Sequence, residues 1–389
     1  MGTDSSELES GTLRDRLLPL RERLLANLIL IAQIPAPSGV EQRRVEFVLD
    51  RFGEQRLGEA GSDEAGNAVG RLSGQVGERT ILLVSHLDTF FASNDEHEVI
   101  VEADRIIGTG IEDNAVGAAV VSMIPTILDT LGIKLQSDLL LLGSTRSLGR
   151  GSHAGVRFFL DHPPSPIQFG ICVEGIRLGR INYFSIGTAR GDIICNVRPQ
   201  LEPSRSYGSE SALIVLNHII NRILGIAIPS RPFTDIKIGK MSAGVTYDIE
   251  PNHAELGLEV VSHSDEMLER VCREIGDIVG EMSARHEVEA KLDFFTGTRA
   301  GGLSFGHPLV RGTLKVMREL GIGPDQGHSP SELSELICRN IPAVTLGMTT
   351  GKKSAKYEPG CVFIDPLFLG IAQLIGVIAA IDRGECDES

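Results

Sequence analysis

The 389-residue chain has no tryptophan and four tyrosines, too few for an aromatic platform that stacks sugars or bases. Its six cysteines (Cys172, Cys195, Cys272, Cys338, Cys361, Cys386) form no Cys-x-x-Cys pair, so unpaired thiols in a reducing cytoplasm are expected. No apolar run approaches the roughly 20 residues that cross a bilayer. Met1 to Ser10 is polar and acidic, unlike a signal segment. Positive charge is in deficit: 37 Lys and Arg against 52 Asp and Glu give a net charge of −15. That balance repels nucleic acid and anionic membrane, so neither is expected as a partner.

What remains is a soluble globular composition, 42% hydrophobic and 23% charged. The length exceeds one ordinary core, so two domains are expected. Apolar residues at helical spacing from Leu13 to Ala32 predict a docking helix. Buried strands are predicted over Thr80 to Val84, Asp138 to Gly143, Gln168 to Val173 and Ala343 to Gly347, with helices between them. Apolar strands that end in polar residues and alternate with helices give an α/β fold, a mostly parallel helix-covered sheet. Near Thr188 the pattern changes to strand, helix, strand, strand, helix, strand, which reads as an inserted α+β domain. The expected division is a disordered 1–11, a main domain of 12–188 and 299–389, and an insert of 189–298.

Three motifs carry chemistry. Ser85-His86-Leu87-Asp88 ends a buried strand, where open α/β sheets bind their ligands, and it offers an imidazole beside a carboxylate. Gly110-Ile111-Glu112-Asp113-Asn114-Ala115-Val116-Gly117 leads into an apolar helix. There Asp113 is either a ligand or simply an N-cap. Val173-Glu174-Gly175 closes a further strand.

Taken in order, these motifs resemble the co-catalytic zinc exopeptidases and deacylases, the group of carboxypeptidase G, acetylornithine deacetylase, aminoacylase and tripeptide aminopeptidase. The resemblance implies the zinc-exopeptidase fold, with the insert as a lid that commonly mediates a homodimer. It also implies that His86 and Glu174 bind one zinc, that Asp113 bridges to a second, and that Asp88 orients His86.

The group's third motif, a Glu-Glu pair supplying the general base and a second-zinc ligand, is absent. Its place reads Arg146-Ser147, no acidic residue lies between Asp138 and Asp161, and the chain holds no Glu-Glu dipeptide. No histidine follows His328, and Lys356 stands where the group's final histidine ligand is expected. Arginine stays protonated and takes no proton, so the base role is vacant unless Asp88, Glu112 or His153 fills it. Arg146 and Lys356 are expected to replace the lost second metal with fixed positive charge.

Two functions follow as expectations. One is an inactive or non-classical homologue that binds a peptide or N-acyl amino acid. The other is a hydrolase of such amides working from one zinc or other divalent ion on His86, Asp113 and Glu174.

Overall fold

The computed structural model describes residues 15–91, 97–197, 211–286, 288–328, 331–355 and 358–388. The chain divides into two compact units, one of residues up to Ser185 and from Gly302 onward, the other Ile186–Gly301.

The first unit begins with β1 (Gly58–Ser62), β2 (Ala68–Leu72), β3 (Thr80–His86), β4 (Val99–Val101) and β5 (Arg105–Gly108). It continues with β6 (Asp138–Ser144), β7 (Phe169–Ile176) and β8 (Arg180–Ser185). The second unit holds β9 (Gly187–Val197), β10 (Thr234–Ala243), β11 (His253–Ser262) and β12 (Val288–Thr298). After β13 (Gly301–Gly302) at the boundary, the first unit resumes with β14 (Asp325–His328) and β15 (Ala343–Thr349). It ends with β16 (Gly351–Lys352) and β17 (Gly360–Phe363).

A nine-stranded sheet runs in the order β1-β2-β6-β3-β7-β15-β8-β13, with β14 on β8. Its centre is parallel: β3 lies between β6 and β7, and β15 follows β7. All seven residues of β3 are buried, because both faces are covered. Ile81, Leu83, Ile171 and Val173 join one core cluster with the helices Arg21–Ala32, Val116–Leu131 and Ile364–Asp382. The alternate residues Leu82, Val84 and Cys172 join a second cluster on the other face. That face is covered by Val156 and Phe159 of helix Ala154–Asp161 and by Leu333 and Leu336 of helix Glu332–Cys338. Truncating one such strand leucine to alanine costs about 2–5 kcal/mol.

Two stretches, Ile111–Leu131 of 21 residues and Ile364–Asp382 of 19, are long and apolar enough to cross a bilayer. This corrects the expectation that no run approaches that length. Their composition has another cause, since 83% and 78% of their most apolar windows are buried in the fold. The docking helix also differs from its expected span. Leu18–Leu20 forms a tight turn before Arg21–Ala32, because Pro19 sits at that start.

In the second unit four antiparallel strands run in the order β10-β11-β9-β12. Helices Ala212–Leu224 and Asp265–Arg285 bury Leu216, Ile219, Val271 and Ile275 with the strand residues Ile193 and Leu256.

Candidate metal centre

The register of the large sheet gathers the site. His86, the last residue of β3, lies opposite Ser144, the last of β6. Val84 pairs with Cys172, so Glu174 falls beside His86 two residues on. Both side chains share the parity of Val84 and Cys172. They therefore stand on the face whose helices start at Ala154 and Glu332.

Asp113 comes from the bend before helix Val116–Leu131. Its backbone is non-helical (φ −148°, ψ 83°) and the helix start has no side-chain cap from it, so the N-cap reading of Asp113 is not met. Asn114 serves that end instead, its Oδ1 accepting from Gly117 N at 3.1 Å. Its Nδ2 donates to Ser85 Oγ at 2.9 Å and to Val173 O at 2.7 Å, tying the bend to β3 and β7. Gly117 permits this approach, since a Cβ there would lie 2.4 Å from Val173 O.

His86 Nε2 is 3.0 Å from Asp113 Oδ1, and its Nδ1 is 3.0 Å from the Asp88 carbonyl and 3.4 Å from Asp88 Oδ1. Asp88 is fully buried, and its Oδ2 accepts from Leu148 N at 2.8 Å and from Ser38 Oγ. With Nδ1 held by Asp88, the Nε2 lone pair is presented to the site. Among the described residues, His86, Asp113 and Glu174 each offer a ligand atom within 4.8 Å of the others.

The electrostatics suit a cation. Burial acts to lower the His86 pKa, but Asp113 and Asp88 outweigh it and hold the imidazole well above its ordinary value. Burial acts to raise Asp113, and His86 followed by Lys353 brings it below the usual range. Glu174 is pushed up, first by burial and then by Asp113, against the pull of His86 and of Arg180, 3.6 Å away. One nitrogen and two carboxylates around one point, with the imidazole backed by a further carboxylate, is a donor set that fits a zinc-like divalent ion.

The remaining expected residues fall elsewhere. Arg146 Nη2 donates to the carbonyl of Ala65 at 3.1 Å. Its partner is a loop carbonyl, while Asp113 is lowered first by His86 and then by Lys353. Arg146, expected to supply compensating charge, thus bonds a neutral carbonyl, with its backbone at positive φ (51°). Ser147 is buried, its Oγ 3.2 Å from Ser144 Oγ. Lys356 lies outside the described residues. Glu112 accepts from Ser354 N at 2.6 Å and Ser354 Oγ at 3.0 Å, which makes it a loop clamp. Cys172 is buried, and burial pushes its thiol well above the ordinary range.

One carboxylate at the site went unread in the sequence. Glu332 is 3% exposed, and its Oε1 is 3.9 Å from His153 Nδ1. Burial acts to raise its pKa, but His153, His86 and Ser147 outweigh this and hold it far below the carboxylate range. Ser331-Glu332-Leu333 reads as an ordinary helix start, where an acidic residue is common. Nothing local marked it for chemistry.

The sequence profile of Peptidase family M28 matches residues 67–190, the span that contains His86, Asp88, Asp113, Arg146, Ser147 and Glu174. No curated protein matches the sequence. Among solved structures, the aminopeptidase PepT of Bacillus cereus ATCC 10987 superposes with a TM-score of 0.70 at 16% identity, covering 92% of this chain and 98% of that one. The di-peptidase Dug1p of Saccharomyces cerevisiae gives 0.79 at 10% identity, covering 97% and 99%. The YXEP protein of Bacillus subtilis, described as a dinuclear metal binding peptidase of the M20 family, gives 0.65 at 13%, covering 94% and 99%. The chain therefore has the α/β fold of the M28- and M20-type zinc exopeptidases.

Proposed function

We propose that this protein is a metal-dependent hydrolase of amide bonds in small peptides or N-acyl amino acids. It acts through a divalent ion, zinc by its donor chemistry, on His86, Asp113 and Glu174. The convergence of these three side chains at the carboxyl end of the sheet carries the reading.

A bound ion supplies Lewis acidity to the scissile carbonyl and makes water more acidic. The chain's residues do the rest. Asp88 fixes the ring of His86, and Asn114 fixes the bend that presents Asp113. Lys353, exposed and felt by Asp113, suits a substrate with a free carboxylate. The peptidases named among the structural neighbours support a peptide substrate. Free cysteines at all six positions support a cytoplasmic setting. Exposed Ile214, Val245, Tyr247 and Ile249 on the inserted unit support a homodimer through it.

A second reading, a cleft that binds such ligands without turnover, is favoured by Arg146-Ser147 in place of the acidic pair. Protein purified without chelator separates the two. The expected result is bound zinc plus hydrolysis within a dipeptide and N-acyl amino acid panel, both lost in His86→Ala. Bound ion without turnover leaves the binding reading, and no ion at all removes the proposal.

A further inference from the structure

Across the large sheet the site continues as a row. By register His86 on β3, Glu174 on β7 and Gly347 on β15 stand side by side, and since Leu346 pairs with Ile181, Arg180 on β8 comes next. Gly347 has no side chain to separate its neighbours, and Arg180 Nη1 comes within 3.6 Å of Glu174 Oε2. That is too long for a hydrogen bond. Arg180 is 9% exposed, and its Nε has no hydrogen-bond partner among the described residues. Two residues on, along the same face, Asn182 is fully buried with both Nδ2 and Oδ1 unpartnered among those residues. Buried polar groups are rarely left so, and unused donors beside a candidate ligand point to an acceptor from outside the chain.

We propose that Arg180 binds the substrate's free carboxylate, the one directly following the scissile amide, with Asn182 as a second donor beside it on the strand. The inference rests on the reading of the site as a metal-dependent amide hydrolase. It narrows the substrates to dipeptides and N-acyl amino acids whose carboxyl end is unblocked.

The charge balance supports this. Arginine stays protonated at any ordinary pH. A divalent ion on Asp113 and Glu174 takes up both carboxylates, and Glu174 then no longer balances Arg180. The other acids nearby are committed. Glu332 faces His153 at 3.9 Å, and Asp325, next to Arg180 in register, pairs with Arg177 at 3.7 Å. A buried cation without a counter-charge is costly, and a substrate carboxylate removes that cost. The reach fits as well. In a dipeptide or N-acyl amino acid the carboxylate lies one residue, roughly 3.5 Å of chain, beyond the amide. A guanidinium 3.6 Å from Glu174 stands at that range. Its planar fork grips both carboxylate oxygens, whereas the exposed Lys353 is a point charge suited to drawing the anion in.

The test compares acids with their amides. Zinc-loaded full-length protein is titrated with a panel of dipeptides and N-acetyl amino acids and with the C-terminal amide of each. The acid-to-amide ratio is read in Kd, or in kcat/KM where a probe is cleaved. The wild type is expected to favour acids by about tenfold or more, a comparison that needs no variant. In Arg180→Met the ratio is expected to fall to within about twofold of one, with Arg180→Lys restoring part of it and Lys353→Ala keeping it. Circular dichroism and elemental analysis of Arg180→Met are expected to show a folded chain that keeps its zinc. Equal binding of acids and amides by the wild type overturns the inference, as does a preference that survives in Arg180→Met. Loss of zinc from folded Arg180→Met assigns the guanidinium to holding Glu174 and overturns it too. An acid preference that depends on Arg180 without any turnover supports this inference and removes the hydrolase reading. A wild type that takes up no zinc and binds no probe overturns both.

Discussion

Asn114 Nδ2 donates to the main-chain carbonyl of Val173 at 2.7 Å, one residue before the candidate ligand Glu174. The neighbour of one candidate ligand is thereby bonded to the neighbour of another, and the same amide also reaches Ser85, next to His86. The site is framed by residues adjacent to its ligands.

Replacing Asn114 with alanine removes these bonds and the one to Gly117 N. Buried partners are left unsatisfied, so a loss of about 2–4 kcal/mol is expected in urea unfolding. Zinc affinity should fall by about 10–100-fold, as for other residues that orient ligands. Unchanged affinity would remove Asn114 from the frame of the site.

Asp88→Asn keeps the shape of the side chain and removes the charge behind His86. Zinc binding is expected to weaken by about 10–100-fold with little change in secondary structure, read by calorimetry and circular dichroism.

Gly117→Ala forces a Cβ to within 2.4 Å of Val173 O and 2.5 Å of Asn114 Oδ1. Neither neighbour is a flexible chain end, so the helix must shift. A destabilisation of about 1–3 kcal/mol is expected from the overpacking, together with weakened zinc binding. A melting temperature equal to that of the wild type would contradict this packing.

Metal binding should oppose protons at His86. In metal-free protein its folded pKa lies above the ordinary 6.5. Its contribution to stability is therefore full below about pH 6.5 and is lost as pH rises through the raised value. Zinc requires the deprotonated ring, so affinity should climb over that same rise in pH, with release of a proton on binding. Calorimetry in buffers of different ionisation enthalpy reads that proton directly.

Arg146→Ala should leave zinc affinity within twofold, because the guanidinium is bonded to the Ala65 carbonyl. The loss of that bond costs about 1 kcal/mol. A large change in affinity would restore Arg146 to the site.

Much was legible because the signals were local. Strands buried on both faces must be apolar throughout, so β3, β6, β7 and β15 announced themselves as continuous hydrophobic runs. His86, Asp113 and Glu174 each close a motif at the end of such a run or beside it. The period changes near Thr188, where the second unit begins at Ile186. Asp113 as ligand or cap could not be decided locally, because both roles place an acid before a helix. The structure removes the cap through the non-helical backbone at Asp113 and the use of Asn114 at the helix start, and it sets Asp113 Oδ1 3.0 Å from His86 Nε2.

The order of elements and the three residues that converge as candidate ligands were thus legible in the sequence, since hydrophobic period and motif spacing are properties of neighbouring residues. Which cations Asp113 feels, where Arg146 points, and that Glu332 meets His153 across 179 positions of chain (332 − 153) were decided only by the tertiary structure. Charge acts through space. Residues far apart along the chain become electrostatic neighbours only after the sheet and its covering helices have brought them together.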